Sequence, residues 1–103
     1  MDLTVYWTQF AEDKLFDIFS YFEQKAGVYT ARKIVKEIVD TTINLANHPK
    51  KGTIEVLLSD KPQEFRYLVH NNYKIIYWIN EIENRIEILT VFDCRQNPAK
   101  ILY

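Results

Sequence analysis

A chain of 103 residues can bury one hydrophobic core but not two, so residues 1–103 are expected to form a single domain. The composition is 48% hydrophobic and 26% charged, and a formal charge of -1 argues against nucleic-acid binding by bulk electrostatics. No charged stretch followed by an apolar one opens the chain, no apolar run approaches a membrane span, and Cys94 is alone. The expectation is therefore a cytoplasmic protein with no internal disulfide, no cysteine-based zinc site and no membrane association.

Leu3, Val5 and Trp7 alternate with Thr4 and Tyr6, which predicts a short opening strand on the edge of a later sheet. Thr8 is placed to cap the helix that follows. From Gln9 to Ala26, the residues Ala11, Leu15, Ile18, Phe19 and Phe22 recur at helical spacing, and Gly27 is a natural terminator. A second helix is predicted from about Thr30 to Asn47, ending at His48-Pro49, so that the two helices form an antiparallel hairpin. Lys50 to Glu64 contains Gly52 and Pro62 and reads as a crossover loop with room for one brief strand near Ile54 to Leu58.

The last third is expected to be a three-stranded meander, rich in the β-branched and aromatic residues that fit a pleated surface. Asn71-Asn72 separates the first two strands and tolerates the positive φ of a two-residue turn. Counting outward from that turn pairs His70 with Tyr73, Leu68 with Ile75 and Arg66 with Tyr77 on one face. Val69 with Lys74, Tyr67 with Ile76, and Phe65 with Trp78 share the other. Carried through the Glu81–Asn84 loop, Ile86, Ile88, Thr90 and Phe92 join the first face, and Glu87, Leu89, Val91 and Asp93 the second. Both faces are then largely apolar. A single layer of helices covers only one of them, so a partner, a second copy or the tail Ala99 to Tyr103 should cover the other.

Few residues suggest chemistry. The two histidines lack metal-ligand spacing with any carboxylate pair, so no metal and no cofactor is assigned. His70 reads first as a turn-flanking strand residue, Arg66 and Tyr77 as a structural cross-strand pair, and Asp93 with Arg95 as an ion pair at the start of the tail. The sharper alternatives give Arg66 and Arg95 the role of phosphate or carboxylate recognition.

Arg66-x-Leu68, Tyr73-Lys74-Ile75-Ile76-Tyr77, an Ile/Val-rich strand and Asp93-x-Arg95-x-Asn97-Pro98, following a strand and a helical hairpin, resemble the RelE/ParE superfamily of type II toxin-antitoxin toxins. The likeness spans nearly the whole chain. It implies an α+β fold, with an N-terminal strand and an antiparallel helical hairpin packed on a three- to four-stranded antiparallel sheet. Membership of the ParE-like branch implies a growth inhibitor, of the kind used in plasmid stabilization, that binds DNA gyrase and cuts nothing. The residues expected at that target are Arg66, Lys74, Arg95 and Asn97. The RelE-like alternative is a ribosome-dependent messenger-RNA endoribonuclease, whose catalytic set here would be Lys74, Arg95, Tyr67 and His70. On strand-to-strand matching the two lysines of that branch fall on Phe65 and Tyr67, which favours the ParE-like reading. Either branch implies a cognate antitoxin, expected on Phe65, Tyr67, Val69, Ile76, Trp78, Leu89 and Val91, and a homodimer or a toxin-antitoxin hetero-oligomer as the assembly.

Overall fold

The computed structural model describes residues 2–103. Strand β1 (Thr4–Trp7) leads through Thr8 into α1 (Gln9–Ala26). Thr8 does two jobs at that junction. Its Oγ1 accepts from the Ala11 N–H (3.2 Å), capping the helix, and donates to the Ile88 carbonyl (2.8 Å), fixing the helix start to the sheet. Gly27 closes α1 at φ 92°, a conformation open to glycine, and α2 (Val28–Thr41) starts at once, so a single residue makes the hairpin turn.

The second helix is shorter than its apolar stripe predicts. Thr41 Oγ1 donates to the Glu37 carbonyl and Thr42 Oγ1 to that of Val39, and the chain tightens into a 3-10 turn over Ile43–Ala46. The stripe persists through that turn, and Leu45 is buried in the core.

The sheet has five strands, one more than the upper expectation, in the order β1-β5-β4-β3-β2. The extra one is β2 (Thr53–Ile54), a two-residue strand antiparallel to β3 (Arg66–His70). β3, β4 (Tyr73–Asn80) and β5 (Arg85–Asp93) form the meander, while β1 runs parallel to β5. The β3–β4 register agrees with the count from the Asn-Asn turn, including Arg66 opposite Tyr77 and Val69 opposite Lys74. Asn71 takes the positive φ there (52°), and Asn84 takes it in the next loop (54°).

The face assignment fails after Ile88. Tyr77 pairs with Ile88 but Ile76 with Thr90, so Leu89 is an extra residue, a β-bulge. An added residue inverts the alternation beyond it. Thr90 and Phe92 therefore lie on the second face and Val91 on the helix face, the reverse of the expected arrangement.

Two cores result. Between helices and sheet lie Ala11, Ile38, Leu45, Leu68, Ile75, Tyr77, Ile86, Ile88 and Val91. On the other face Phe65, Ile76 and Phe92 pack under Leu58 and Ile101. Those two lids arrive on 3-10 turns that the sequence caps locally. Glu55 accepts from the Leu57 N–H (3.1 Å) to start Val56–Leu58, and Asn97 accepts from the Ala99 N–H (3.0 Å) to start Pro98–Lys100. The surplus apolar face is thus covered in large part by the chain's own crossover and tail.

Candidate functional site

Arg66 and Tyr77, side by side on β3 and β4, both reach the crossover. The Tyr77 hydroxyl donates to the Pro49 carbonyl (2.8 Å) and accepts from the Gly52 N–H (2.8 Å). Burial pushes that hydroxyl above the ordinary tyrosine range, so it stays protonated. Arg66 Nη1 donates to the carbonyls of Gly52 (2.9 Å) and Lys50 (3.3 Å), and Nη2 pairs with Glu64 (2.8 Å). Both side chains are spent on holding residues 49–52 against the sheet. They act through the loop between them rather than as a stacked pair.

Lys74 projects from the second face. Its Nζ lies 2.8 Å from Glu55 Oε2 and 4.3 Å from the centre of the Tyr67 ring. Glu55 is only 2% exposed, so its carboxylate is held in the protein by this ion pair and by the cap it provides. The charge on Lys74 is neutralised where it stands.

His70 and Arg95 lie elsewhere. His70 Nε2 sits 3.3 Å from Glu37 of α2, on the helix side of the sheet. Arg95 grips Asp93 by two bonds, Nε to Oδ1 (3.0 Å) and Nη2 to Oδ2 (2.8 Å), yet its side chain stays 59% exposed. It borders a cleft of about 400 Å³ lined also by Asp17, Tyr21 and Tyr73. The residues proposed together for RNA cleavage are therefore divided, with Tyr67 and Lys74 on one side of the sheet and His70 and Arg95 toward the other.

Among the expected antitoxin contacts, Phe65 (7% exposed) and Ile76 (0%) lie beneath Leu58 and Ile101, and Val91 (3%) faces the helices. These three offer no surface in this conformation. Val69, at 58%, is exposed, and Tyr67, Trp78 and Leu89 are half-buried around the second core. Asn97, expected at the target, is occupied as a cap. Sequence reasoning missed Glu55, a carboxylate in a segment that reads as an irregular crossover. The neighbouring Val56-Leu57-Leu58 run was the one signal that this segment packs on the sheet.

The hydrogen bonds from Arg95 hold the Asp93 carboxyl below its usual range, against an opposing effect of partial burial. A carboxyl whose folded value is depressed contributes stability above its unfolded pKa, about 4, and loses it as the pH falls through the folded value. Urea melts at pH 7 and pH 3 are thus expected to separate wild type from Asp93→Asn at the higher pH and to narrow that gap at the lower. A gap unchanged by pH would mean that the ion pair does not contribute.

A helical hairpin across one face of a mostly antiparallel sheet with an N-terminal strand at its edge is the α+β arrangement expected of a RelE/ParE-class toxin. A family model for the ParE toxin of type II toxin-antitoxin systems, parDE, matches residues 5–98, and the chain belongs to that family. Among solved structures, a chain of the chromosomal ParDE TA system from P. aeruginosa superposes with a TM-score of 0.73 at 22% identity. The match covers 88% of this chain and 95% of that one, and at this identity it speaks for the fold. No curated protein matches. Among the described residues no helix is long and apolar enough to cross a membrane.

Proposed function

We propose that this ParE-family chain inhibits growth by binding DNA gyrase, without cutting nucleic acid, and that a cognate antitoxin neutralises it. The observation that carries this reading is the dispersal of the ribonuclease candidates. In-line attack by a 2′-hydroxyl needs a base, an acid and cations around one phosphate. Here Lys74 is neutralised by Glu55, and His70 and Arg95 lie away from it. Of the four residues expected at the target, Arg66, Lys74 and Asn97 are engaged within the fold. Arg95 alone keeps a largely exposed charged group, beside a cleft into which a loop of a partner protein could fit. The surface left for an antitoxin is the ring of Tyr67, Val69, Trp78 and Leu89 around the tail.

Inducing the protein alone in bacteria and pulse-labelling in the first minutes tests the target. Thymidine incorporation is expected to fall before methionine incorporation, and Arg95→Ala, at a temperature where its melt shows it still folded, should remove most of the effect. If methionine incorporation falls first, the ribosome is the target and the gyrase reading is wrong. Co-purification with the product of the neighbouring gene tests the antitoxin separately.

A further inference from the structure

Asp93 occupies one edge of the Arg95 guanidinium and leaves the other. It takes the side edge, through Nε to Oδ1 and Nη2 to Oδ2, and its Oδ1 also accepts the Arg95 backbone N–H (2.9 Å). A guanidinium carries five N–H groups in a planar fork, so Nη1 and the second N–H of Nη2 remain for an end-on pair. Among the described residues Nη1 has no acceptor.

Arg95 also borders a second depression, of about 590 Å³, formed by Phe22 of α1, Ile34 of α2, the turn residues Asn71 and Asn72, and Tyr73. Its lining differs in kind from that of the cleft described above. That cleft holds the carboxylates of Asp17 and Asp93, whereas Arg95 is the one charged group among the described residues of the second. Phe22 and Ile34, half-buried against the core, supply an apolar floor. The side-chain amides of Asn71 and Asn72 can donate, as can the Tyr73 hydroxyl, which burial and then the nearby Asp93 carboxylate keep protonated. The parts are held in place in advance. The Asn72 carbonyl accepts from the Cys94 N–H (2.7 Å), tying the turn to the residue before Arg95, and Asp93 fixes the guanidinium, so little freedom is left to lose on binding.

We propose that this depression binds a segment of a partner protein in which an aspartate or glutamate stands beside an apolar side chain. The carboxylate meets the open edge of Arg95, and the apolar group lies on Phe22 and Ile34. A nucleic-acid backbone repeats its charge at every nucleotide and is held by several cations; one cation over an apolar floor suits a protein segment better. The proposal rests on the reading of Arg95 as the group that meets the target, and it adds what the target must offer there.

NMR of the isotope-labelled full-length protein tests it, with a capped Leu-Asp-Leu peptide as the probe and capped Leu-Asn-Leu as the control of equal shape. The acidic peptide is expected to shift the signals of Phe22, Ile34, Asn71, Asn72 and Arg95, and the neutral one to bind roughly tenfold more weakly. Arg95→Gln, with its spectrum unchanged away from the site, should bind both peptides equally weakly. Equal binding of the two peptides by wild type, no binding at all, shifts centred on Arg32, Lys33 and Lys36 of α2, or a short single-stranded RNA that shifts the same residues more strongly would each overturn the proposal. No target is present in this measurement. Selective peptide binding with methionine incorporation falling first would therefore keep the site and replace gyrase, while thymidine incorporation falling first with no peptide binding would keep gyrase and remove the site.

Discussion

Gly52→Ala should cost about 3 kcal/mol, enough to lower the melting temperature of a domain of this size by about 15 °C. The backbone angle is not the reason, because Gly52 does not adopt a positive φ. Space is the reason. A β-carbon there would lie 2.7 Å from the Tyr77 hydroxyl and 2.8 Å from the Tyr67 carbonyl, both parts of the sheet. Neither can retreat cheaply, since Tyr77 is fully buried and its hydroxyl is bonded on both sides to the loop that would be displaced. Tyr77→Phe approaches the same junction from the other side. It leaves the Gly52 N–H and the Pro49 carbonyl without their partner, a loss of about 2 kcal/mol. The double variant should cost less than the two separately, because removing the hydroxyl removes one of three close contacts, leaving those to the Tyr67 carbonyl and to the ring Cε1 of residue 77 (2.8 Å each). Thermal melts of the three proteins measure this. If Gly52→Ala melted like wild type, residues 49–52 would be free to lift off the sheet, and the clamp by Arg66 and Tyr77 would have no structural role.

Much of the architecture was legible because single residues mark it. Thr8 and Gly27 bound α1 where a side-chain cap and a glycine terminator predict, and Asn71-Asn72 sets the β3–β4 register. The bulge at Leu89 carries no such mark. It contains no glycine or proline, and strict alternation through Ile86, Ile88, Thr90 and Phe92 is as apolar in one reading as in the other. What excluded the simple alternation was packing, with Ile101 and Leu58 requiring Phe92 beneath them. The Asp93–Arg95 pair was readable from a spacing of two. The burial of Glu55 was not, because its partner Lys74 is 19 residues away and the segment between them reads as a loop. Local signals found the elements, and contacts distant in sequence decided which side chains remain available.

Lys74→Met is expected to destabilise the fold by about 3 kcal/mol, because it strands the Glu55 carboxylate with one backbone N–H and almost no water. Glu55→Gln should cost less, roughly 1 kcal/mol, since an amide oxygen can still accept from the Leu57 N–H and the half-buried Lys74 can turn toward solvent. In the double variant the stranded charge is gone, so its loss should fall well below the sum, and urea denaturation of the four proteins gives the coupling directly. The same set separates structure from chemistry. If Lys74 serves the fold, toxicity in the double variant should return toward wild type together with stability, despite the missing amine. Restored stability with toxicity still absent would instead give the ammonium group a direct role at the target, and the neutralised Lys74 of the free protein would have to exchange Glu55 for a new partner on binding.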